Sequence, residues 1–588
     1  MDKNKIRFYS QTNKNMLWGH VAAETLSKLG LNFAVISPGS RSAPLTIGFT
    51  QNQKIKSITI LDERSAGFFG LGKSMQSNTA VLLICSSGTA TANLYPAVIE
   101  ASLSNIPLLI FTADRPGELQ ECHAPQTINQ KKIFGNYTRW QIDLNTPKAE
   151  INAFRYLRQS LMHALSRTKY PSPGPVHVNF PFRDPLVPIK DEKIYTLREK
   201  VNKSNFYSHI SPLNNSLYTI TPNIDLKKRL KLYLYKKGII IIGPTIVQNC
   251  TVFSKCIASI AYSLGWPVIT DVLNPLRNFK DENQYLICHY DIFLRNENIR
   301  KKLKPDCVLA IGALPTSKIL SEWLTKIDVI TYLINKNYDN WDPYHRRVCH
   351  VYAELNFFEK IFFKKQIKLP SYTKSWLNYD KKISLSIDRL MKKQNFLFEG
   401  KIPWILSKFL PTHTPFHIGN SMPIRDAECF WRSNNKQIIP NFNRGANGID
   451  GTISSGMGMA FNNRPSVLLT GDLSFLHDTN GLLVSKELQG SLTIIVINNQ
   501  GGRIFNNLPI AKFNFICERY FVTPQNINIE KLAEAYSIPC YVPKKWIGVV
   551  SHIKQLPSLG VKIILINTNQ KKDITFRKNI IKKLANNY

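Results

Sequence analysis

The residues best suited to chemistry are a carboxylate and an amide lying just past two apolar runs. Val467-Leu-Leu-Thr-Gly-Asp-Leu-Ser474 reads as a strand running into Gly471 and Asp472, with Ser474 close behind. Thr493-Ile-Ile-Val-Ile-Asn-Asn499 reads as a second strand, ending at Asn499 and followed by Gly501 and Gly502. Asp472 and Asn499 stand 27 positions apart, with a helical stretch expected from Asp478 to Glu487. One strand–helix–strand unit would deliver both groups to the carboxyl ends of neighbouring strands, where open α/β sheets bind ligands. Mg²⁺ takes hard oxygen ligands in octahedral geometry, commonly one or two protein groups plus phosphate oxygens. Asp472, Asn499, a backbone carbonyl at Gly501 and two diphosphate oxygens meet that demand, and glycines let backbone approach phosphate closely. A Gly-Asp followed by paired Asn is also ordinary turn chemistry, so spacing alone leaves two strand-end turns as the alternative.

Elements able to position such residues recur along the chain. Met16–Leu29 has apolar residues at helical spacing, and Leu31–Ser37 is a short apolar run ending in Pro38-Gly39. Further strands are expected at Ser57–Leu61, Ala80–Cys85, Pro107–Thr112 and Pro175–Phe180. A second set falls at Gly238–Ile242, Trp266–Thr270, Asp306–Ile311 and Asp328–Leu333. The third begins near Ile402, with strands at Pro415–Ile418, Pro465–Thr470, Ser491–Ile497, Cys540–Val542 and Val561–Asn567. Short buried strands alternating with helices predict parallel sheets. A polar Lys/Asn-rich stretch from Asp191 to Asn223 and a charged, poorly periodic one from Phe357 to about Gln394 separate the three sets. The expected class is α/β, three domains in series with parallel sheets flanked by helices, spanning 1–190, 210–360 and 395–588.

Composition bounds the partners. A chain of 588 residues with 43% hydrophobic content can bury several cores. Its formal charge of +36 raises nucleic acid, anionic membrane surfaces and acidic substrates as partners. The basic residues are scattered, however, from Lys227-Lys228 through Lys301-Lys302 and Lys364-Lys365 to Lys582-Lys583. Neither a basic stripe nor an aromatic RNA-binding signature accompanies them. Lys, Asn and Ile are abundant throughout, as AT-rich coding sequence produces, and no nucleic-acid partner is expected. Ten cysteines without a CxxC pair read as reduced thiols. The opening Met1–Ser10 lacks a secretory apolar core, and Asp2 argues against a transit peptide. With apolar runs only of strand length, no membrane partner is expected.

Several motifs in order turn the open alternative toward chemistry. They are Ile36-Ser-Pro-Gly-Ser-Arg-Ser-Ala-Pro-Leu45, Leu61-Asp-Glu-Arg-Ser-Ala-Gly-Phe-Phe69, Thr112-Ala-Asp-Arg-Pro-Gly-Glu-Leu119, Gln126-Thr-Ile-Asn-Gln130, Asn443-Arg-Gly-Ala-Asn-Gly-Ile-Asp-Gly451 and Asn498-Asn-Gln-Gly-Gly-Arg-Ile-Phe505. Together with the Asp472/Asn499 pattern they resemble, over nearly the whole chain, the 2-succinyl-5-enolpyruvyl-6-hydroxy-3-cyclohexene-1-carboxylate (SEPHCHC) synthase family of thiamine diphosphate enzymes. Acetolactate synthases and pyruvate decarboxylases resemble it only at the cofactor motifs. The resemblance implies pyrimidine-binding, middle and diphosphate-binding domains in that order. It implies a transferase that decarboxylates 2-oxoglutarate and adds the remaining fragment to isochorismate in a 1,4 fashion, toward menaquinone or phylloquinone. The alternative is another thiamine diphosphate-dependent 2-oxo acid lyase or synthase, such as an acetolactate synthase-like enzyme.

The same resemblance implies roles for single residues. Glu63 would hydrogen-bond the cofactor's pyrimidine and be the catalytic acid–base group. Ile449 would wedge between the two cofactor rings, and Gly471, Asp472, Ser474, Asn499 and Gly501 would surround the diphosphate. Asp472, Asn499 and Gly501 would hold Mg²⁺ or Mn²⁺. Both substrates are dianions, which calls for arginine's planar fork. The matching substrate positions are Ser40, Arg41, Arg115, Gln126, Lys318, Ser421, Arg425 and Arg444, with Ile504, Phe505 and Leu508 as apolar lining. Ser421 and Arg425 would share a face if their stretch is helical. The chain departs from the family at Pro125, often Asn, at Ile319, Arg in some members, and at Leu473, where the wider superfamily has Gly. These departures bear on substrate affinity rather than on the reaction. A homodimer or homotetramer is implied, with the pyrimidine domain of one chain facing the diphosphate domain of another. The cytoplasm is the default compartment, or the plastid stroma for a plastid-encoded chain.

Overall fold

A computed structural model describes residues 12–203, 205–213, 232–337, 339–355 and 369–586. The chain divides into two compact units, the first built from the N-terminal region with Asn443–Phe461 and His477–Leu488, the second from the remainder.

The first unit holds a six-stranded, all-parallel sheet. Its strands are β1 (Phe33–Ile36), β2 (Lys56–Thr59), β3 (Val81–Cys85), β4 (Leu108–Asp114), β5 (Trp140–Asp143) and β6 (Pro175–Pro181), in the order β2-β1-β3-β4-β6-β5. The central strands are buried along their whole length, which is why they read as continuous apolar runs. Helix Glu63–Ser77 packs against helix Thr452–Ala460 through glycines. A Cβ at Gly72 would collide with the Ser455 carbonyl, and one at Gly458 with that of Phe69. This close backbone approach accounts for Asn443–Phe461 belonging to the first unit.

The second unit carries two more six-stranded parallel sheets. One comprises β7 (Gly238–Ile242), β8 (Val268–Thr270), β9 (Leu286–Ile287), β10 (Cys307–Ile311), β11 (Ile330–Asn335) and β12 (Val348–Tyr352), ordered β12-β11-β10-β7-β8-β9. The other comprises β13 (Pro415–Ile418), β14 (Ile439–Asn441), β15 (Ser466–Gly471), β16 (Ser491–Asn498), β17 (Cys540–Tyr541) and β18 (Gly560–Asn567), ordered β14-β13-β15-β16-β18-β17. One apolar core runs continuously from Ile239 and Phe293 to Phe416 and Ile566.

The expected parallel α/β class and its central strands are present, with differences at the margins. Strands β5, β9, β12 and β14 were not expected. The charged stretch from Phe357 contains the helix Ser371–Lys393, whose buried Tyr372, Trp376, Ile383, Ile387 and Met391 form one narrow stripe among many charges. The Lys/Asn-rich stretch contains the helix Glu192–Lys203. Residues 204, 214–223 and 357–368 of those two stretches lie outside the described residues. Between β15 and β16 the expected helical stretch is a short helix, Asp472–His477, followed by a 3₁₀ segment, Thr479–Lys486. The ten cysteines are all free thiols. Among the described residues no helix is long and apolar enough to cross a membrane.

Candidate active site

In the second unit, β15 and β16 pair in parallel with Gly471 opposite Ile497, so Asp472 and Asn499 emerge together at the carboxyl edge of the sheet. Both are buried. The Asp472 carboxylate accepts from the Leu473 N–H through Oδ1 at 2.8 Å and from the Gly501 N–H through Oδ2 at 2.7 Å. Burial pushes its pKa up to about 6 despite those bonds. An acid so desolvated fits a site that a cation completes. The donor set also fits: one carboxylate, one amide oxygen and backbone carbonyls are the hard oxygens Mg²⁺ or Mn²⁺ takes. Among the described residues no cluster of three His, Cys, Asp or Glu offers a competing metal centre.

The loop after β16 is held in a shape only glycine permits. Gly501 has φ +121°, and a Cβ there would run into the Val522 carbonyl oxygen. Arg503 rivets the same loop, donating to the carbonyls of Asn499 at 3.1 Å and Gln500 at 2.9 Å while pairing with Glu518 at 2.8 Å. Gly471 has open space where a side chain would stand, and Ser474 is buried one turn into the helix that Asp472 opens. Ile504 and Phe505 follow, half-buried, and Leu508 is exposed.

Ser421 and Arg425 sit at the start of helix Met422–Phe430. Ser421 has φ +71° and ψ −128°, a backbone region essentially reserved for glycine, which costs about 1–3 kcal/mol where another residue adopts it. The exposed Arg425 donates from Nη1 to the Ser421 carbonyl at 2.6 Å. The helix is anchored from its other side: Glu428 accepts from the Val272 N–H at 2.8 Å and from Arg277 at 2.5 Å, and Asp426 pairs with Arg577. Lys318 opens helix Lys318–Lys326 with its side chain 82% exposed and paired to Glu322 at 3.5 Å.

In the first unit, Glu63 is half-buried at the first position of helix Glu63–Ser77, which Asp62 caps by accepting from the Ser65 N–H. Its Oε2 accepts from Asn93 at 3.4 Å. Around the ends of β3 and β4, Arg115 and Gln126 converge on Ser87. Arg115 Nη1 donates to Ser87 Oγ, and Gln126 Nε2 donates to the Ser87 carbonyl at 3.0 Å. Desolvation and the neighbouring Arg41 charge lower the Arg115 pKa, against the Asp114 and Asp184 carboxylates, which raise it. Arg41 donates to the Phe182 carbonyl at 2.9 Å, and its buried Nε has no hydrogen-bond partner among the described residues. Ser40, beside it, is exposed. Arg444 begins a loop whose next two N–H groups, Gly445 and Ala446, both donate to the buried carboxylate of Glu100 at 2.7 Å. Ile449, half-buried, lies in the same loop, where its carbonyl accepts from Thr452 Oγ1 at 3.0 Å.

Five residues join these sites without having been expected from the sequence: Ser87, Glu100, Glu399, Arg503 and Arg577. Asn499 Nδ2 donates to Glu399 Oε1 at 3.0 Å, and Arg577 supports Glu399 at 3.2 Å. Ser87 carried a usable signal, since Cys85-Ser-Ser-Gly88 follows a strand directly. Arg503 lies inside the motif Asn498–Phe505, and Glu100, Glu399 and Arg577 lie outside all of the motifs.

Comparison with known proteins places these features. The thiamine pyrophosphate enzyme N-terminal TPP-binding domain matches residues 16–133, the middle domain of thiamine pyrophosphate enzymes matches 213–415, and the C-terminal TPP-binding domain matches 420–558. The 2-succinyl-5-enolpyruvyl-6-hydroxy-3-cyclohexene-1-carboxylate synthase of Microcystis aeruginosa is 47% identical over 95% of this chain and 97% of its own length. The synthases of Gloeothece citriformis and Acaryochloris marina are 44% and 45% identical, each over 97% of this chain and at least 98% of their own lengths. With relatives of this identity over nearly the full length and all three domain models matched in order, the chain belongs to the SEPHCHC synthase family of thiamine diphosphate-dependent enzymes.

Proposed function

We propose that this chain is a transferase that removes CO₂ from 2-oxoglutarate and adds the remaining fragment to isochorismate by 1,4-addition, giving SEPHCHC for menaquinone or phylloquinone synthesis. The observation that carries the reading is the strand-end junction in which Asp472 and Asn499 stand together over Gly501, in a chain of this family. Thiamine diphosphate, when bound, supplies the carbanion chemistry that lets a 2-oxo acid lose CO₂.

The protein's own residues bind, orient and move protons. Asp472, Asn499 and a backbone carbonyl at Gly501 would hold Mg²⁺ or Mn²⁺, with Gly471 and Ser474 available to the diphosphate. Glu63 holds a proton at the pyrimidine nitrogen and is the catalytic acid–base residue. Ile449 would supply an apolar contact to the cofactor rings. Arg41, Arg115, Arg425 and Arg444, with Lys318, Ser40, Gln126 and Ser421, take the substrate carboxylates, and Ile504, Phe505 and Leu508 line the apolar side. The convergence of Arg41, Arg115 and Gln126 supports this assignment. A homodimer or homotetramer is the assembly we propose, supported by the exposed Phe513, Phe515, Ile516 and Tyr520 that follow the lining residues. The cytoplasm, or the plastid stroma for a plastid-encoded chain, is the compartment that fits.

The test is a coupled assay with thiamine diphosphate, Mg²⁺, 2-oxoglutarate and isochorismate, following isochorismate loss and SEPHCHC formation. Product from the wild type supports the reading. Turnover of pyruvate alone would keep the cofactor assignment and overturn the substrates.

A further inference from the structure

Side-chain amides are two-faced: rotated by half a turn, the same Asn presents nitrogen where it presented oxygen, and only its hydrogen-bond partners decide. A metal ligand cannot tolerate the wrong face. At Asn499 the decision is made by Glu399, whose buried carboxylate accepts from Asn499 Nδ2 at 3.0 Å. An ionised carboxylate is an acceptor only, so it selects the nitrogen and leaves Oδ1 directed elsewhere.

Glu399 is itself fixed from three directions. Arg577 Nη2 donates to Oε2 at 3.2 Å, Thr568 Oγ1 donates to Oε1 at 3.3 Å, and the Glu399 N–H donates to Asp573 Oδ1 at 2.9 Å. Arg577 also bonds Asp573 at 3.0 Å, one turn before it on the C-terminal helix Gln570–Asn586, and pairs with Asp426. Asp426 follows Arg425 in sequence. One buried guanidinium therefore braces both the β16 end bearing Asn499 and the helix bearing Ser421 and Arg425.

We infer that Glu399, held by Arg577, is a positioning residue that turns the Asn499 amide so that its oxygen meets the metal. This rests on the reading of Asn499 as a metal ligand. The role differs from ordinary structural support, because a fold needs only that Asn499 be bonded, whereas a cation needs its oxygen presented.

Full-length wild-type, Glu399→Ala, Glu399→Asp and Glu399→Gln proteins are titrated with Mg²⁺ at saturating thiamine diphosphate by calorimetry, and the melting temperature of each metal-free protein is recorded. Aspartate keeps the charge beside Arg577 but withdraws the acceptor from Asn499, and it carries the test if the alanine variant does not fold. The expected result is Mg²⁺ affinity weakened about tenfold or more in Glu399→Ala and Glu399→Asp, the usual loss when a ligand's hydrogen-bond partner is removed. Glutamine, which keeps an acceptor oxygen at the same reach, recovers part of that loss. Unchanged Mg²⁺ affinity in Glu399→Asp, with or without a lowered melting temperature, overturns the inference. A wild type lacking any Mg²⁺-dependent binding of thiamine diphosphate overturns instead the metal-site reading beneath it.

Discussion

Gly501 donates its backbone N–H to Asp472 Oδ2 at 2.7 Å, joining the ends of two neighbouring strands through the residues read as metal ligands. The bond exists because Gly501 adopts φ +121°, where an L side chain is strained and would also meet the Val522 carbonyl. Gly501→Ala is therefore expected to destabilise the protein by about 1–3 kcal/mol and to weaken Mg²⁺-dependent thiamine diphosphate binding. Urea unfolding and a cofactor titration measure the two effects separately. Normal values for both would mean the loop relaxes freely and the junction is not a fixed metal seat.

Glu63 opens a helix that Asp62 already caps, so the fold has little need of the Glu63 carboxylate. Glu63→Gln is expected to keep thiamine diphosphate and Mg²⁺ bound while SEPHCHC formation drops by orders of magnitude. Calorimetry and the coupled assay on the same preparation check this. Loss of cofactor binding in step with activity would make Glu63 a binding residue rather than the proton-holding one.

Arg41 carries a buried Nε with no hydrogen-bond partner among the described residues, next to the cationic Arg115. A dianionic substrate would satisfy both. Removing a charge-assisted hydrogen bond costs about 1.5–3 kcal/mol, so Arg41→Ala should lower kcat/KM by roughly 10–100-fold. Arg41→Lys should not restore it, because an ammonium lacks the planar fork. Steady-state kinetics with each substrate varied in turn gives the answer, and full recovery with Lys would reduce the site to simple charge.

How much of this was legible in sequence follows from burial. Strands such as β3 and β16, covered on both faces, read as unbroken apolar runs. The four strands that were missed, β5, β9, β12 and β14, are all at sheet edges, where pairing on one side alone relaxes the need for apolar residues. Asp472 and Asn499 were legible because each follows such a run directly. Glu399 and Arg577 were not, since Glu399 reaches Asn499 from a loop 100 positions away and Arg577 reaches Glu399 from a helix 178 positions away, and only folding reveals that proximity. Lys318 was expected among the substrate residues and stands exposed against Glu322.

An exposed run of aromatics follows Ile504, Phe505 and Leu508: Phe513 is 60% exposed, Phe515 70% and Tyr520 63%. Patches of this kind on a folded surface mark association. If a second copy covers them, Phe515→Asp combined with Tyr520→Asp should convert the assembly to monomer, with little effect on the metal-free melting temperature. Light scattering coupled to size exclusion reads the mass. A variant that keeps the wild-type mass would place the subunit interface on another face.

Several histidines are buried where no counter-charge helps them ionise. Burial lowers the His177 pKa from its ordinary 6.5 to about 3, and that of His417 to about 4. In the unfolded chain each ring takes a proton below pH 6.5, whereas in the native protein it stays neutral until about pH 3–4. The unfolded state thus binds more protons throughout that window, and stability falls as pH falls, by about 1.4 kcal/mol per pH unit for each histidine. His177 Nε2 lies 2.7 Å from Thr112 Oγ1, which itself donates to Asn179, so His177 is the donor. His177→Gln keeps a donor for Thr112 but cannot take up a proton. Its unfolding free energy, measured in urea between pH 7.5 and pH 4.5, should start lower than that of the wild type and decline less steeply below pH 6.5, by about one proton's worth of slope. An unchanged slope would mean that His177 is already protonated in the native core, against the burial that surrounds it.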